Sequence, residues 1–429
     1  MKRRTKLRVV YALLGVLLAV AMLAACAGCA TKVQAQDLMK GVKAETVPEK
    51  PTDEAFIRES MRFSLSLLQA VTGEEAKGKG ESVLLSPLSV QYALAMTANG
   101  AKGQTREEML STLAGDLSME QLNAYLHTYC EQLQREREKN TVRIADSIWY
   151  RDDPSLQVKQ DFLQTNADYY GAGAFKAAFD KQTVKDINNW ISEHTDGLIN
   201  EVVQEISDED MLFLVNTLLF DAEWRDIYMD VNVQDGVFTS RSGEKRTVSF
   251  LHSGENICFD DGKALGFRKD YAGGRFAFVA LLPNEGTDVF DYVASLSAEG
   301  LLQTLQSGES MMVYAAIPKF ESGYEVSLRE ILPAMGMSAA FDFSRADFTD
   351  MATCGNGDLY IADVLHKTFI CVDERGTKAG AATVVDMAAG SAMPEKTVTV
   401  TLDRPFVYLI LDNETCLPLF IGVQTDIDG

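Results

Sequence analysis

Met211 to Phe220 is a nearly continuous apolar run, interrupted only by Asn216 and Thr217. A strand with no polar face must be covered on both sides. This one segment therefore calls for a central strand with packed layers above and below. Other strands read differently. Thr397 to Leu402 alternates Thr with Val or Leu, the period of a half-buried strand. Phe406 to Leu411, then Asp412-Asn413-Glu414, then Leu417 to Val423 read as a terminal hairpin. The first third is helical in pattern. Phe63, Leu67, Leu68 and Val71 recur at helical spacing. Thr105-Arg106-Glu107-Glu108 fits a capping box, with Gly100 and Gly103 before it. Asp186 to Val203 is a further amphipathic segment with Trp190 and Ile191. Helices first and strands after predict an α+β architecture.

The N-terminus stands outside this pattern. Lys2, Arg3, Arg4, Lys6 and Arg8 precede an uncharged stretch from Val9 to Ala25. That order reads as an export signal. Leu23-Ala24-Ala25-Cys26 is similar to a lipobox, in which Cys26 carries the lipid; an uncleaved membrane anchor is the alternative. Residues 1–25 are thus read as signal and 26–55 as a flexible tether, with Pro48, Pro51 and several charges. Residues 56–429 are read as one domain, without internal repeats or an interdomain linker. The body is expected to be exported and held at the cell surface. Seven cysteines are scattered along the chain, too sparse for a disulfide framework. Cleavage of the signal removes five positive charges and takes the net charge from −22 to about −27. Such a surface argues against nucleic acid and against polyanion cofactors.

Five sequence blocks resemble the serpin family, and they occur in family order. The first is Ser82 to Val90, with Ala93-Leu94-Ala95-Met96 and Gly100 to Thr105. The second is Ile187-Asn188-Asn189-Trp190-Ile191 with Thr195-Asp196-Gly197. The third is Leu214-Val215-Asn216 with Trp224, and the fourth is Ile361 to Lys367 leading into Asp373 to Thr377. The fifth is Asp403-Arg404-Pro405-Phe406 with Phe420-Ile421-Gly422. The resemblance implies a serpin fold: helices on a large mixed β-sheet, two further sheets and an exposed reactive-centre loop. The chain departs from the family at Asp221-Ala222-Glu223, where Lys-Gly is usual, and at Gly380, where Ala is preferred.

The loop spans about 374–394. Thr377 to Thr383 is a run of small side chains, apart from Lys378. Read as a strand, one face carries Thr377, Ala379, Ala381, Thr383, Val385 and Met387, all uncharged. Lys378, Gly380, Ala382, Val384, Asp386 and Ala388 fall on the other. A strand with one buried face needs that segregation, and a mere loop does not. The family mechanism is loop insertion into the large sheet after a protease has formed an acyl-enzyme on the loop. The resemblance makes Glu374, Gly376 and Thr377, followed by Lys378, Ala379, Gly380, Ala381, Ala382 and Thr383, the hinge. It places the scissile bond at Gly390-Ser391, with a register slip to Ala389 or Met387 open. Ser86, Ser89, Asn216 and His366 are expected beneath the point where the sheet opens, and Trp224 where the loop first enters.

Small residues from Met387 to Ser391 exclude a trypsin-like target, which needs Arg or Lys. An elastase-like or subtilisin-like serine protease fits, and a papain-like cysteine protease is the alternative. Metal-ligand spacing, a phosphate-binding loop and a nucleophile elbow are all missing from the sequence, so no cofactor, no metal and no catalytic residue are expected. The expected partners are the protease and, through Cys26, the membrane. The protein is expected to be a monomer able to polymerise by strand addition. A serpin-fold carrier without inhibition is the competing class, and a hydrolase using a Ser and one of the histidines is the third.

Overall fold

The computed structural model describes residues 33–195, 197, 203–206, 210–355, 359–377 and 396–427. The large sheet contains β1 (Gln36–Asp37), β2 (Asn140–Arg151), β3 (Gly173–Ala177), β4 (Leu212–Glu223), β5 (Phe320–Ser327), β6 (Leu365–Val372) and β7 (Gly376–Thr377). Their spatial order is β1-β3-β2-β4-β7-β6-β5. β2 and β3 run parallel, and the other neighbours are antiparallel. The sheet is mixed, as expected.

β4 is the apolar run, and it is covered on both faces. Leu212, Leu214, Leu218, Phe220 and Ala222 enter the main core. Phe213 and Val215 point the other way, into a cluster with Trp149, Ile187, Trp190 and Ile191. The Lys181–His194 helix supplies that second layer. It starts where Asp180 accepts hydrogen bonds from the Gln182 and Thr183 amides. On the main-core side lies the Pro87–Ala98 helix, buried along its whole length. It touches β4 on one side and the Pro418–Gln424 strand on the other, so it is wedged between two sheets.

The second sheet has nine strands. It contains the expected hairpin, Phe406–Asp412 paired antiparallel with Pro418–Gln424, and both strands are buried throughout. Thr397–Thr401 joins it as a parallel partner of Glu309–Pro318. A third, minimal sheet pairs Gln157–Val158 with Ala352–Thr353.

Several local expectations change. β2 and β3 lie among the helices, so the order is not helices and then strands. Asn140 to Arg151 mixes Arg143, Asp146 and Ser147 among its apolar residues, and this hides its period. The helix of the Asp186–Val203 segment occupies Lys181–His194 instead. The capping box at Thr105 is not used. That helix begins at Gly103, and the side chains reach tertiary partners. Thr105 Oγ1 accepts from the Asp347 amide at 3.0 Å, and Glu108 accepts from the Ala339 amide at 2.7 Å.

The tether expectation also fails from residue 33 onward. β1 adds to the edge of β3, and the Leu38 amide donates to the Ala174 carbonyl. The buried Asp186 carboxylate accepts from the Gln34 and Ala35 amides at 2.9 and 3.0 Å. The Glu45 amide donates to Asp168 and the Lys50 amide to Thr128. An open sheet edge and a buried acceptor are stronger attractors than the polar composition of the segment. Asp186→Ala removes both pins. It is expected to lower stability in a denaturant titration by about 1–3 kcal/mol and to open residues 33–50 to limited proteolysis.

Candidate functional site

The hinge is built by a sharp turn after β6. Asp373 Oδ1 accepts from the Arg375 and Gly376 amides at 2.7 and 3.2 Å. The Asp373 amide donates back to the Gly376 carbonyl at 3.1 Å. The chain then reverses, and β7 enters the sheet. Thr377 lies opposite Val372 of β6 and Ala222 of β4, and Gly376 lies opposite Glu223. Two residues of the candidate loop therefore already form a strand between β4 and β6.

Gly376 is required there by contact. A Cβ on this residue would overlap the Ala222 carbonyl oxygen. Ala222 is itself fully buried. The departure at Asp221-Ala222-Glu223 thus lines the floor of the hinge, with Glu223 paired to Lys139 at 3.0 Å. Thr377 is 1% exposed, and its hydroxyl hydrogen-bonds the Tyr271 hydroxyl.

Trp224 lies against this turn. Its ring nitrogen donates to the Asp373 carbonyl at 2.8 Å, and its amide donates to the Arg375 carbonyl at 2.7 Å. The indole stacks on Tyr271 at 4.4 Å and 10°. Behind it, Lys269 and Glu255 form a buried ion pair at 3.2 Å, with the Lys269 ammonium over the Trp224 and Tyr228 rings. Glu374 pairs with Lys319 at 2.8 Å. Burial acts to raise the Glu374 carboxyl, but the Lys319 hydrogen bond and charge outweigh it and leave it below the usual range.

The second group lies lower in the sheet. β4 and the residue before β6 meet at a parallel bridge, Leu214 with Val364. The Ser86 amide donates to His366 Nε2 at 3.0 Å, and Ser89 is buried in the helix that follows. His366 is therefore neutral with its proton on Nδ1, and burial pushes its pKa down to about 4. The structure brings Ser86 and His366 together, with Ser89 buried one turn further along the helix. Asn216 does not bond them: its amide nitrogen donates to Asp146 on β2.

Sequence reasoning missed Asp146, Tyr271, Lys319 and the Lys269–Glu255 pair. Asp146 had a visible signal, a lone carboxylate in the apolar stretch Ile144 to Tyr150. The others have none, because their partners are distant in the chain. Lys378 through Thr383, the Gly390-Ser391 bond and Cys26 lie outside the described residues.

The Gly376→Ala chain is expected to lose about 1–3 kcal/mol of stability by chemical denaturation, because the new methyl forces β7 off β4. His366 generates a pH dependence. The unfolded imidazole titrates near 6.5 and the native one near 4, so the unfolded state binds more protons between these values. Its contribution is complete above about pH 6.5 and is lost as pH falls toward 4. His366→Asn is expected to flatten this part of the pH–stability curve.

Comparison with known proteins agrees with this geometry. The family model described as "Serpin (serine protease inhibitor)" matches residues 58–427. A serpin-like protein of Thermococcus kodakarensis is 30% identical over 81% of this chain and 82% of its own length. Leukocyte elastase inhibitor A of Mus musculus is 28% identical over 84% of this chain and 96% of its own length. The crystal structure of tengpin, a thermophilic serpin in the native state, superposes with a TM-score of 0.87 at 42% identity. It covers 92% of this chain and all of its own. The chain, from its hinge turn to its closing hairpin, belongs to the serpin family.

Proposed function

We propose that this protein inhibits a serine protease as a suicide substrate, trapping the acyl-enzyme by inserting its cleaved loop between β4 and β6. The observation that carries the reading is the position of β7. Thr377 is paired on both sides and Gly376 with β4, so the residues that follow them in the chain need only continue the same strand. Beyond Thr377 the sequence offers small side chains and one uncharged face for that strand.

The energetics support this reading. Adding about fourteen residues as a central strand forms on the order of ten backbone hydrogen bonds, each worth about 1 kcal/mol net. Apolar burial adds to that sum. The total is comparable with the roughly 5–15 kcal/mol that keeps a protease folded.

The reading assigns cleavage to Gly390-Ser391 and an elastase-like or subtilisin-like enzyme as target. Relatives of this chain carry protease-inhibitor names, including an elastase inhibitor. We further propose that the mature chain starts at a lipidated Cys26 and acts at the surface of an exporting cell.

The test mixes the full chain with elastase-like and subtilisin-like proteases and analyses the products by denaturing gel and mass. A covalent complex with a released C-terminal peptide beginning at Ser391 is expected. Clean cleavage without a complex sinks trapping and leaves a carrier. Thr377 is the control position, because its side chain enters a buried site. Thr377→Arg is expected to turn the inhibitor into a substrate that is cut and released. Full trapping by that variant sinks the hinge assignment.

A further inference from the structure

Asp146 is a buried carboxyl with no cation beside it among the described residues. It is 3% exposed, and it stands directly opposite Asn216 in the β2–β4 register. Asn216 Nδ2 donates to Asp146 Oδ1. Each side chain then has one atom left, Asp146 Oδ2 and Asn216 Oδ1. Both are buried, and neither has another hydrogen-bond partner. Two acceptors left over on paired side chains lack one hydrogen between them. A proton on Asp146 Oδ2 supplies it, and the two groups then close a cyclic acid–amide pair with both bonds made.

The surroundings favour the acid form. The Pro87–Ala98 helix brings Tyr92, the Met119–Gln134 helix brings Cys130, and the Gln160–Tyr170 helix brings Tyr170. Burial, and the Asp146 carboxyl beside them, push the Cys130 thiol and the Tyr92 and Tyr170 hydroxyls up, so these stay neutral. His366 across the cluster is neutral as well. None of these groups balances a carboxylate. Burial accordingly pushes the Asp146 carboxyl up to about 8, against the weaker opposing effect of the Asn216 hydrogen bond.

We propose that Asp146 is a proton-dependent latch on β4: as an acid it locks Asn216 at the point where the sheet must open, and as a carboxylate it lets β4 loosen. Asp146 is a positioning residue, acting through Asn216. The proton lost on opening goes to solvent, and no other reactant is needed. The effect on trapping rests on the loop-insertion reading above; the latch itself does not.

The sign follows from linkage. The unfolded carboxyl titrates near 4, so between about pH 4 and 8 the native state holds a proton that the unfolded state does not. The contribution of Asp146 is complete below about pH 4 and is lost as pH rises through 8. Between pH 7 and pH 9 the native-to-unfolded ratio falls about tenfold on this account. His366 is silent in this window.

The experiment follows the unfolding midpoint and the native-state lifetime of the full chain from pH 6.5 to 9.5, without protease. The wild type is expected to lose stability as pH rises to about 8 and to level off above it. D146N keeps both hydrogen bonds with an amide and is expected to be flat through that range. Equal slopes in the two chains overturn the proposal. Infrared spectra of the wild type give a second readout that does not depend on the variant folding. A protonated-carboxyl band present at pH 7 and titrating away near pH 8 supports the latch, and a band unchanged across that range overturns it. Neither readout depends on covalent complexes, so failure of the latch and failure of trapping are told apart.

Discussion

The architecture depends on how β4 and β6 share one seam. They run in the same direction, touch at the Leu214–Val364 bridge and are separated at the other end by Gly376 and Thr377. A backbone N–H or C=O inside a protein needs a partner. A strand entering this seam supplies partners to both neighbours at once, which no edge addition does. The apolar run of β4, the helix wedged beneath it and the helix laid over it hold the seam in a dry interior, where each new hydrogen bond counts most.

Polar groups inside such a core are costly unless they are satisfied. This protein places several around the seam and keeps most of them neutral. His366 accepts one amide, and its burial depresses its basicity. Asp146 is held in its acid form beside Asn216. Two ion pairs flank the hinge end, Lys319 with Glu374 near solvent and Lys269 with Glu255 beneath Trp224.

The legible parts of the fold are those whose signal is local. The uninterrupted apolarity of β4, the alternation at Thr397 and the closing hairpin were plain in the sequence, because each follows from its own residues. The family blocks pointed to Glu374, Trp224, Ser86 and His366, and the structure places the first two beside the hinge turn and bonds the Ser86 amide to His366. What stayed hidden is pairwise and long-range. Tyr271 meets Thr377 across 106 positions, and Asp146 meets Asn216 across 70. Polarity was a poor guide in the N-terminal segment: residues with the composition of a linker found a sheet edge and the Asp186 carboxylate. The capping box at Thr105 failed because tertiary partners outbid a local pattern worth about 1 kcal/mol.

That docked segment sets a distance. Had residues 26–55 all been slack, a chain fixed at Cys26 could range about 100 Å from its point of attachment. Because the protein grips its own chain from Gln34 onward, eight residues are left, and these span at most about 28 Å. On the proposed reading of a lipidated Cys26 and an inhibitory loop, so short a leash would confine the inhibitor to a thin shell over the membrane, within reach of proteases working at that surface.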